Sequence, residues 1–336
     1  MTVRTTTTRR DALALAVSAA LLLGAGSASS AVAQSADISG WPTKQPIRIL
    51  VGFAAGGGND VFARLVGQRL GEKLGTSVVI ENRTGAGSII AYEQTARAAP
   101  DGYTLVVAPF GATIVNPAVY AKLPYDPAAL LPLSIVADFP FVLVVRSDAG
   151  INSVEDLVKA AKAAPDKANY GTPSVTFQLL GEQLKQRTGA PFENIPFRGT
   201  NEVLAAMLSG QLMMSFCDPG PLLGHLKGGR VKALAHSGST RFPLLPDVPT
   251  MAEVGFPGIV MDSFMGFMAQ RGLPEPIAKR FESEFIAMAK DKDFAGKIEH
   301  HGLVPVGSTA QEFADRIARE VPMWKDVAQK AKIQLQ

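Results

Sequence analysis

The chain has 336 residues, 33 Lys and Arg against 30 Asp and Glu, 47% apolar residues and one cysteine. Near-neutral charge, with no Lys/Arg run and no interleaved aromatics, excludes a phosphate-tracking nucleic-acid surface. A single thiol excludes a disulfide framework, and the chain is long enough to bury a core without one.

In chain order, the first feature is a leader. Arg4, Arg9 and Arg10 precede an apolar run over residues 12–23, and small residues follow through Ala31-Val32-Ala33. A basic n-region, a short h-region and an A-x-A site describe a secretory signal cleaved near Ala33. The segment is too short and wrongly flanked for a transmembrane helix, and the arginine pair in "TRRDALAL" also fits a Tat-type address. No cysteine near the site offers a lipid anchor. Removing residues 1–33 leaves 303, a length at which single cores usually divide into two domains.

After the leader, short apolar runs alternate with amphipathic ones. "IRILVGF" reads as a buried strand, and "NDVFARLVGQRLGEKLG" as a helix with Val61, Leu65, Val66 and Leu70 near a 3.6 period. "SVVIEN" is the next strand, followed by "RTGAGS", the helix "IIAYEQTARAA", and a turn and third strand in "PDGYTLVVA". Such alternation predicts parallel sheets with helices on both faces. A second block begins near Ala137, with "FPFVLVVR" as one strand and "SVEDLVKAAKAAP" as a helix opened by a Ser153/Asp156 capping box. "ANYGT", a helix through "LLGEQLKQRTG", the strand "ENIPF", the helix "EVLAAMLSG" and the strands "LMMSF" and "VKALAHS" complete it. The proline-rich "RFPLLPDVPTMAEVGFPG" reads as a crossover loop. The tail adds the apolar "MDSFMGFMAQ", a helix from "PEPIAKRF", the strand "LVPVG" and a last helix from Ser308, with Ser308/Gln311 as its capping box.

Two α/β units of this kind place a cleft between them, where small ligands bind at the carboxyl ends of strands. The stretch "FAAGGGND", residues 53–60, stands at such a strand-to-helix junction. Gly56, Gly57 and Gly58 leave backbone N–H groups open to close approach, and a following helix favours an anion there. Asn59 or Asp60 can cap that helix. No Gly-Lys-Ser/Thr follows, and the G-x-G-x-x-G register is absent, so neither nucleotide motif is present. The glycines alone leave two readings open, an anion cradle or a tight turn. "RTGAGSII", with Ser88 as its expected cap, and "APFGATIVNP", with Gly111 and Thr113, repeat the device. So does "YGTPSVTFQLLGE", with Thr172, Ser174 and Thr176. Together these loops suggest an anion gripped by uncharged donors.

The same segments resemble a known family. "PIRILVGFAAGGGND", "VVIENRTGAGSIIA", "AAPDGYTLVVA", "NPAVYAKLPYDP", "NIPFRGTNEVLAAMLSGQLMM", "LKGGRVKALA", "LPDVPTMAEVG" and "LVPVGST" occur in the order found in Bug-type periplasmic solute receptors of tripartite tricarboxylate transporters. The resemblance runs from Trp41 to Ile333. It implies a type II periplasmic-binding fold of two α/β lobes, residues 41–138 plus 257–336 and residues 139–256, closing on a ligand in the cleft. It implies a small carboxylate as ligand, a di- or tricarboxylate, amino acid or aromatic acid, and membrane transporter subunits as partners. A periplasmic location, a monomer and no cofactor are expected with it. The ligand-binding residues it implies are Phe53, Ala54, Ala55, Gly56, Gly57 and Asp60, then Gly111 and Ala112. The second lobe would add Thr172, Pro173, Ser174 and Thr176, with Arg198 and Gly199 at the cleft edge and Asp218. Many relatives read Phe-Asp-Asn where this chain reads Phe216-Cys217-Asp218. An alternative on the same fold is a ligand sensor that touches a signalling kinase.

An enzyme needs a base, nucleophile or metal set. His225, His236, His300 and His301 show no H-E-x-x-H or paired Cys/His spacing, so no metal site is expected. Ser174 lies outside any G-x-S-x-G motif, and Cys217 follows an apolar run with no base nearby, which favours packing. A secreted hydrolase is the remaining catalytic alternative, because triads are recognised by geometry rather than sequence. Phe53, Phe110, Phe177 and Phe264 read either as an apolar wall for an aromatic acid or as core.

Overall fold

The computed structural model describes residues 40–335; the leader, and with it the signal peptide, lies outside them. Ile47–Val51 (β1) is buried at every position except Arg48 and forms the parallel centre of a six-stranded sheet. It pairs with Val78–Asn82 (β2) and Thr104–Pro109 (β3). Gly58–Leu74 (α1) and Ile89–Ala96 (α2) connect these strands. Asn116–Val119 (α3) follows β3 after a π-turn at Gly111–Val115.

The sheet is mixed, not parallel as the alternation predicts. Leu130–Pro140 (β4), Asp262–Gln270 (β10) and Val304–Pro305 (β11) complete it in the order β11-β4-β10-β3-β1-β2, and β10 runs antiparallel to both β3 and β4. The strand β4 is not apparent in the sequence, because Pro132, Ser134, Asp138 and Pro140 break up its apolar run. The register of β4 against β10 shifts twice, at Met265/Gly266 and Phe267/Met268. Gly266 permits this: a Cβ there would stand 2.5 Å from the Ser134 carbonyl.

Alternation along β10 sends its two phenylalanines into opposite layers. Phe267 stacks on Phe62 of α1 and on Phe285 of Glu275–Lys290 (α8), at 5.6 and 4.8 Å. Phe264 meets Phe110 at 5.7 Å and Phe313 of Ala310–Lys330 (α10) at 5.2 Å. Helices therefore cover both faces, and Phe110 and Phe264 belong to the core rather than to a ligand wall. Phe177 also packs inward, 4.6 Å from Phe141, whereas Phe53 is half-buried.

The second half is built on Val142–Arg146 (β5), flanked antiparallel by Ser215–Cys217 (β8) and Val231–His236 (β9). Asn169–Thr172 (β6) and Glu193–Pro196 (β7) form a parallel pair. A parallel bridge, Tyr170 to Met214, and the Ser215 hydroxyl on the Gly171 carbonyl at 2.8 Å join that pair to β8. Val154–Ala163 (α4), Val175–Thr188 (α5), Thr200–Leu208 (α6) and Pro219–Lys227 (α7) lie between these strands. Lys292–His300 (α9) precedes β11 in the first half.

The run "FPFVLVVR" is thus two strands in two sheets. Phe139-Pro140 ends β4, Phe141 crosses, and β5 starts at Val142. The return crossing is residues 237–261. Ser237 holds both together: its buried hydroxyl accepts the Phe141 N–H at 3.0 Å and donates to the Met261 carbonyl at 2.7 Å. Nearby, Arg316 of α10 pairs with Asp138 of β4 at 3.3 Å, donates to the Asp262 carbonyl and lies 4.6 Å from the Phe264 ring centre.

Three helix starts differ from expectation. Thr309 and Glu312, one residue beyond Ser308 and Gln311, make the capping box of α10. Ser308 is buried instead, its hydroxyl accepting the Ile135 N–H at 2.8 Å. Ser153 caps α4, but Asp156 accepts the Asn152 N–H, so that box is half formed. Ser88 takes a left-handed conformation, φ 82°, and caps nothing through its side chain.

Ser237→Ala would strand a buried N–H and a buried carbonyl, at about 1–3 kcal/mol for each group left without a partner. Urea denaturation should show a midpoint well below wild type with an unchanged slope. Burial pushes the Asp138 carboxyl up to about 6, against the opposing pull of Arg316. A carboxyl raised in the folded state costs stability above its folded pKa and ceases to do so below its unfolded one. The melting temperature of wild type relative to Asp138→Asn should therefore rise as pH falls from 7 to 4, and a flat difference would discount the burial of Asp138.

Candidate functional site

The loop at residues 53–57 is exposed from Ala54 to Gly57 and sits on a buried polar seat. Asp60, 2% exposed, accepts the Gly56 N–H at 2.9 Å, and the Asn82 amide donates to Asp60 at 2.9 Å and to the Phe53 carbonyl at 3.0 Å. Arg64, one turn on, closes a two-bonded pair with Asp60 at 2.9 and 3.0 Å. Burial alone would push the Asp60 carboxyl up, but Arg64, the Gly56 amide and Asn82 together hold it below its ordinary value. α1 begins at Gly58 with Gly57 as its N-cap, so neither Asn59 nor Asp60 caps it. Asp60 is spent on the loop's shape, and Gly56 at φ 79° supplies the left-handed turn that brings its amide round to the carboxylate. Among the described residues, no protein acceptor takes the amides of Ala54 and Ala55.

Ser88 closes the loop from behind. It is fully buried, its hydroxyl has no partner, and it presses on Gly52 so tightly that a Cβ there would overlap it. The next residue back, Gly87, gives its carbonyl to the Asn116 amide at 2.9 Å, and Tyr92 bonds Thr113 at 2.6 Å. These contacts tie residues 52–58, 84–88 and 111–116 into one continuous rim at the carboxyl ends of β1, β2 and β3.

The facing rim comes from the second half. Thr172 ends β6, its hydroxyl 2.6 Å from Asn194, and its carbonyl accepts the Phe197 N–H at 2.8 Å. Pro173 is half-buried and Ser174 exposed. Arg198 is exposed, with its N–H on Glu202, and Gly199 is the N-cap of α6. Asp218, half-buried at the N-cap of α7, accepts the Thr200 hydroxyl at 2.8 Å. Burial pushes the Asp218 carboxyl up to about 6, against the pull of that hydroxyl. The thiol of Cys217 is buried and pushed up to about 12, chiefly by burial, which leaves no thiolate for chemistry near neutral pH.

The two rims touch. A Cβ on Gly111 would lie 2.8 Å from the Thr176 hydroxyl, and one on Gly302 would lie 2.7 Å from the Gly220 nitrogen. Of the residues singled out in the sequence, Gly111 and Thr176 meet directly, and the 53–57 loop joins them through Ser88, Gly87 and Asn116. Ala112 is buried behind the rim and Arg198 points to solvent at its outer edge. Asn82, Asn116 and Thr200 escaped the sequence reading, and Ser88 entered it only as a helix cap, although "IENRTGAGS" already places Asn82 beside a glycine loop. Among the described residues, no group of three or more His, Cys, Asp or Glu could hold a metal. None of the described helices is long and apolar enough to cross a membrane. Asp60→Ala should cost about 1–3 kcal/mol, because the Gly56 amide and Asn82 lose their acceptor. Arg64→Ala breaks only a half-exposed pair and should cost about 0–1 kcal/mol; urea titrations of both variants separate the two.

Known proteins resemble this chain in sequence and fold. BugT of Bordetella pertussis is 31% identical over 91% of this chain and 95% of its own length. Rpa4515 of R. palustris, solved with adipate, superposes with a TM-score of 0.81 at 30% identity, covering 88% of this chain and 99% of the other. MatC from Rhodopseudomonas palustris, solved with bound malate, gives 0.76 at 28% identity, covering 84% and 99%. These likenesses fix the two-lobed α/β fold of the periplasmic binding proteins. The model of the tripartite tricarboxylate transporter family receptors matches residues 62–333, and the chain belongs to that family of solute receptors.

Proposed function

We propose that this chain is exported, binds a small carboxylate between its lobes and delivers it to membrane transporter subunits. Its leader, outside the described residues, carries the features of a cleaved signal, and this supports a periplasmic location. The lobes would be residues 41–138 plus 257–336 and residues 139–256. The carrying observation is the pair of rims built from uncharged donors and meeting at Gly111 and Thr176. Relatives solved with adipate and malate make a carboxylate the natural occupant.

In this reading the amides of Ala54 and Ala55 grip one carboxylate, with Gly57, whose own amide donates to the Ala54 carbonyl, closing the turn, Phe53 at their side and Asp60 shaping the loop from below. Gly111 and Ala112 set the floor. Ser174 and Thr176 contribute hydroxyl and amide donors from the other lobe, Thr172 and Pro173 shape the turn before them, Asp218 faces the ligand, and Arg198 and Gly199 border the entrance. Ligand stabilises the closed arrangement by its differential affinity for it. The purified protein should melt at a higher temperature with at least one member of a mono-, di- and tricarboxylate panel, as mass action requires. Ester hydrolysis without any such stabilisation would defeat the receptor reading. Gly57 offers a clean site test: its φ of −76° suits any residue, and a Cβ would lie 3.3 Å from the Ala54 carbonyl. Gly57→Leu should fold normally yet weaken carboxylate binding at least tenfold in calorimetry, and unchanged affinity would remove the loop from the site.

A further inference from the structure

The strands β6, β7 and β8 run parallel, so Thr172, Pro196 and Cys217 end on one edge of the second half. On that edge, Thr176 touches Gly111 at one end and Gly220 approaches His301 and Gly302 at the other. Asp218 stands two residues before Gly220, and Thr200 joins it to the start of α6. It therefore lies on the rim that meets the first lobe.

Asp60 is paired with Arg64, Glu81 with Arg48 and Arg83, and Asp138 with Arg316, whereas Asp218 has no cationic partner among the described residues. No Lys, Arg or His nitrogen lies within 4.0 Å of Asp218 among the described residues; its side-chain partner is the neutral Thr200. With its carboxyl pushed up to about 6 by burial, Asp218 is still largely ionised at neutral pH. A partly desolvated carboxylate without a cation repels a second carboxylate and attracts an ammonium group. The opposite rim offers N–H donors, which suit a carboxylate.

Resting on the receptor reading above, we infer that Asp218 selects a zwitterionic ligand, an amino acid whose carboxylate meets the 53–57 amides and whose ammonium group meets Asp218. Dicarboxylates lacking an amine are disfavoured, because their second negative charge would face this carboxylate. Asp218 is a specificity residue in this arrangement, and Thr200 orients it.

The test is a calorimetric panel at neutral pH of the standard amino acids and 4-aminobutyrate, against amine-free counterparts such as propionate, butyrate, succinate and glutarate. At least one amino acid should bind at least tenfold tighter than its amine-free counterpart. Asp218→Asn should erase that preference while leaving or improving binding of the amine-free acid; Thr200→Val, which leaves the carboxylate, should reduce the preference only in part. Tighter binding of succinate or glutarate than of any amino acid by wild type would overturn the inference and leave the receptor reading standing. So would a preference untouched by Asp218→Asn. Binding of no acid of either kind would overturn both. The wild-type panel decides the matter even if a variant fails to fold.

Discussion

Everything in this fold depends on two chain crossings that Ser237 ties together through both its backbone and its buried hydroxyl. Ser237 accepts from Phe141 and donates to Met261, so the outgoing and returning strands are fixed to each other where they pass between the halves. A hydrogen bond in such a buried place is expensive to lose, because each backbone group left behind has no water to turn to. These bonds keep either strand from sliding against its neighbour. Arg316 reinforces the crossing from the side by reaching Asp138 and the Asp262 carbonyl at once. The rims stand in register only because these strands do.

The first lobe's elements were largely legible. Buried strands such as β1 and amphipathic helices such as α1 announce themselves by burial period, and the glycines at residues 56–58 mark the strand-to-helix turn that the fold has there. What the sequence concealed was longer range. The split of "FPFVLVVR" between two sheets leaves no local trace, since both halves of the run are apolar and buried. The strand β4 is hidden by its prolines and polar residues, and the antiparallel course of β10 arises from a return path that no window contains. The caps went astray by one residue at Ser308, where a serine and a threonine adjoin and burial rather than propensity decides which one caps.

The site was half legible for a related reason. Glycines and hydroxyls at strand ends mark where donors can stand, but not what supports them. Asp60 reads as a cap or a ligand group in the sequence, and in the fold it serves as the loop's buried seat. Ser88 and Asn116 knit the first rim together through contacts between distant segments, as in the 29-residue separation of Asn116 and Gly87. Those relations are properties of packing.

The places where the rims touch have a consequence of their own. Gly111 meets Thr176, and Gly220 meets Gly302, so the halves seat against each other through backbone and one hydroxyl, without a formal charge at either contact. Screening by salt acts on exposed ion pairs and leaves neutral van der Waals contacts almost untouched. A receptor built this way keeps its closing geometry whether the surrounding medium is fresh or saline. Outside the cell the composition of that medium is not under the cell's control.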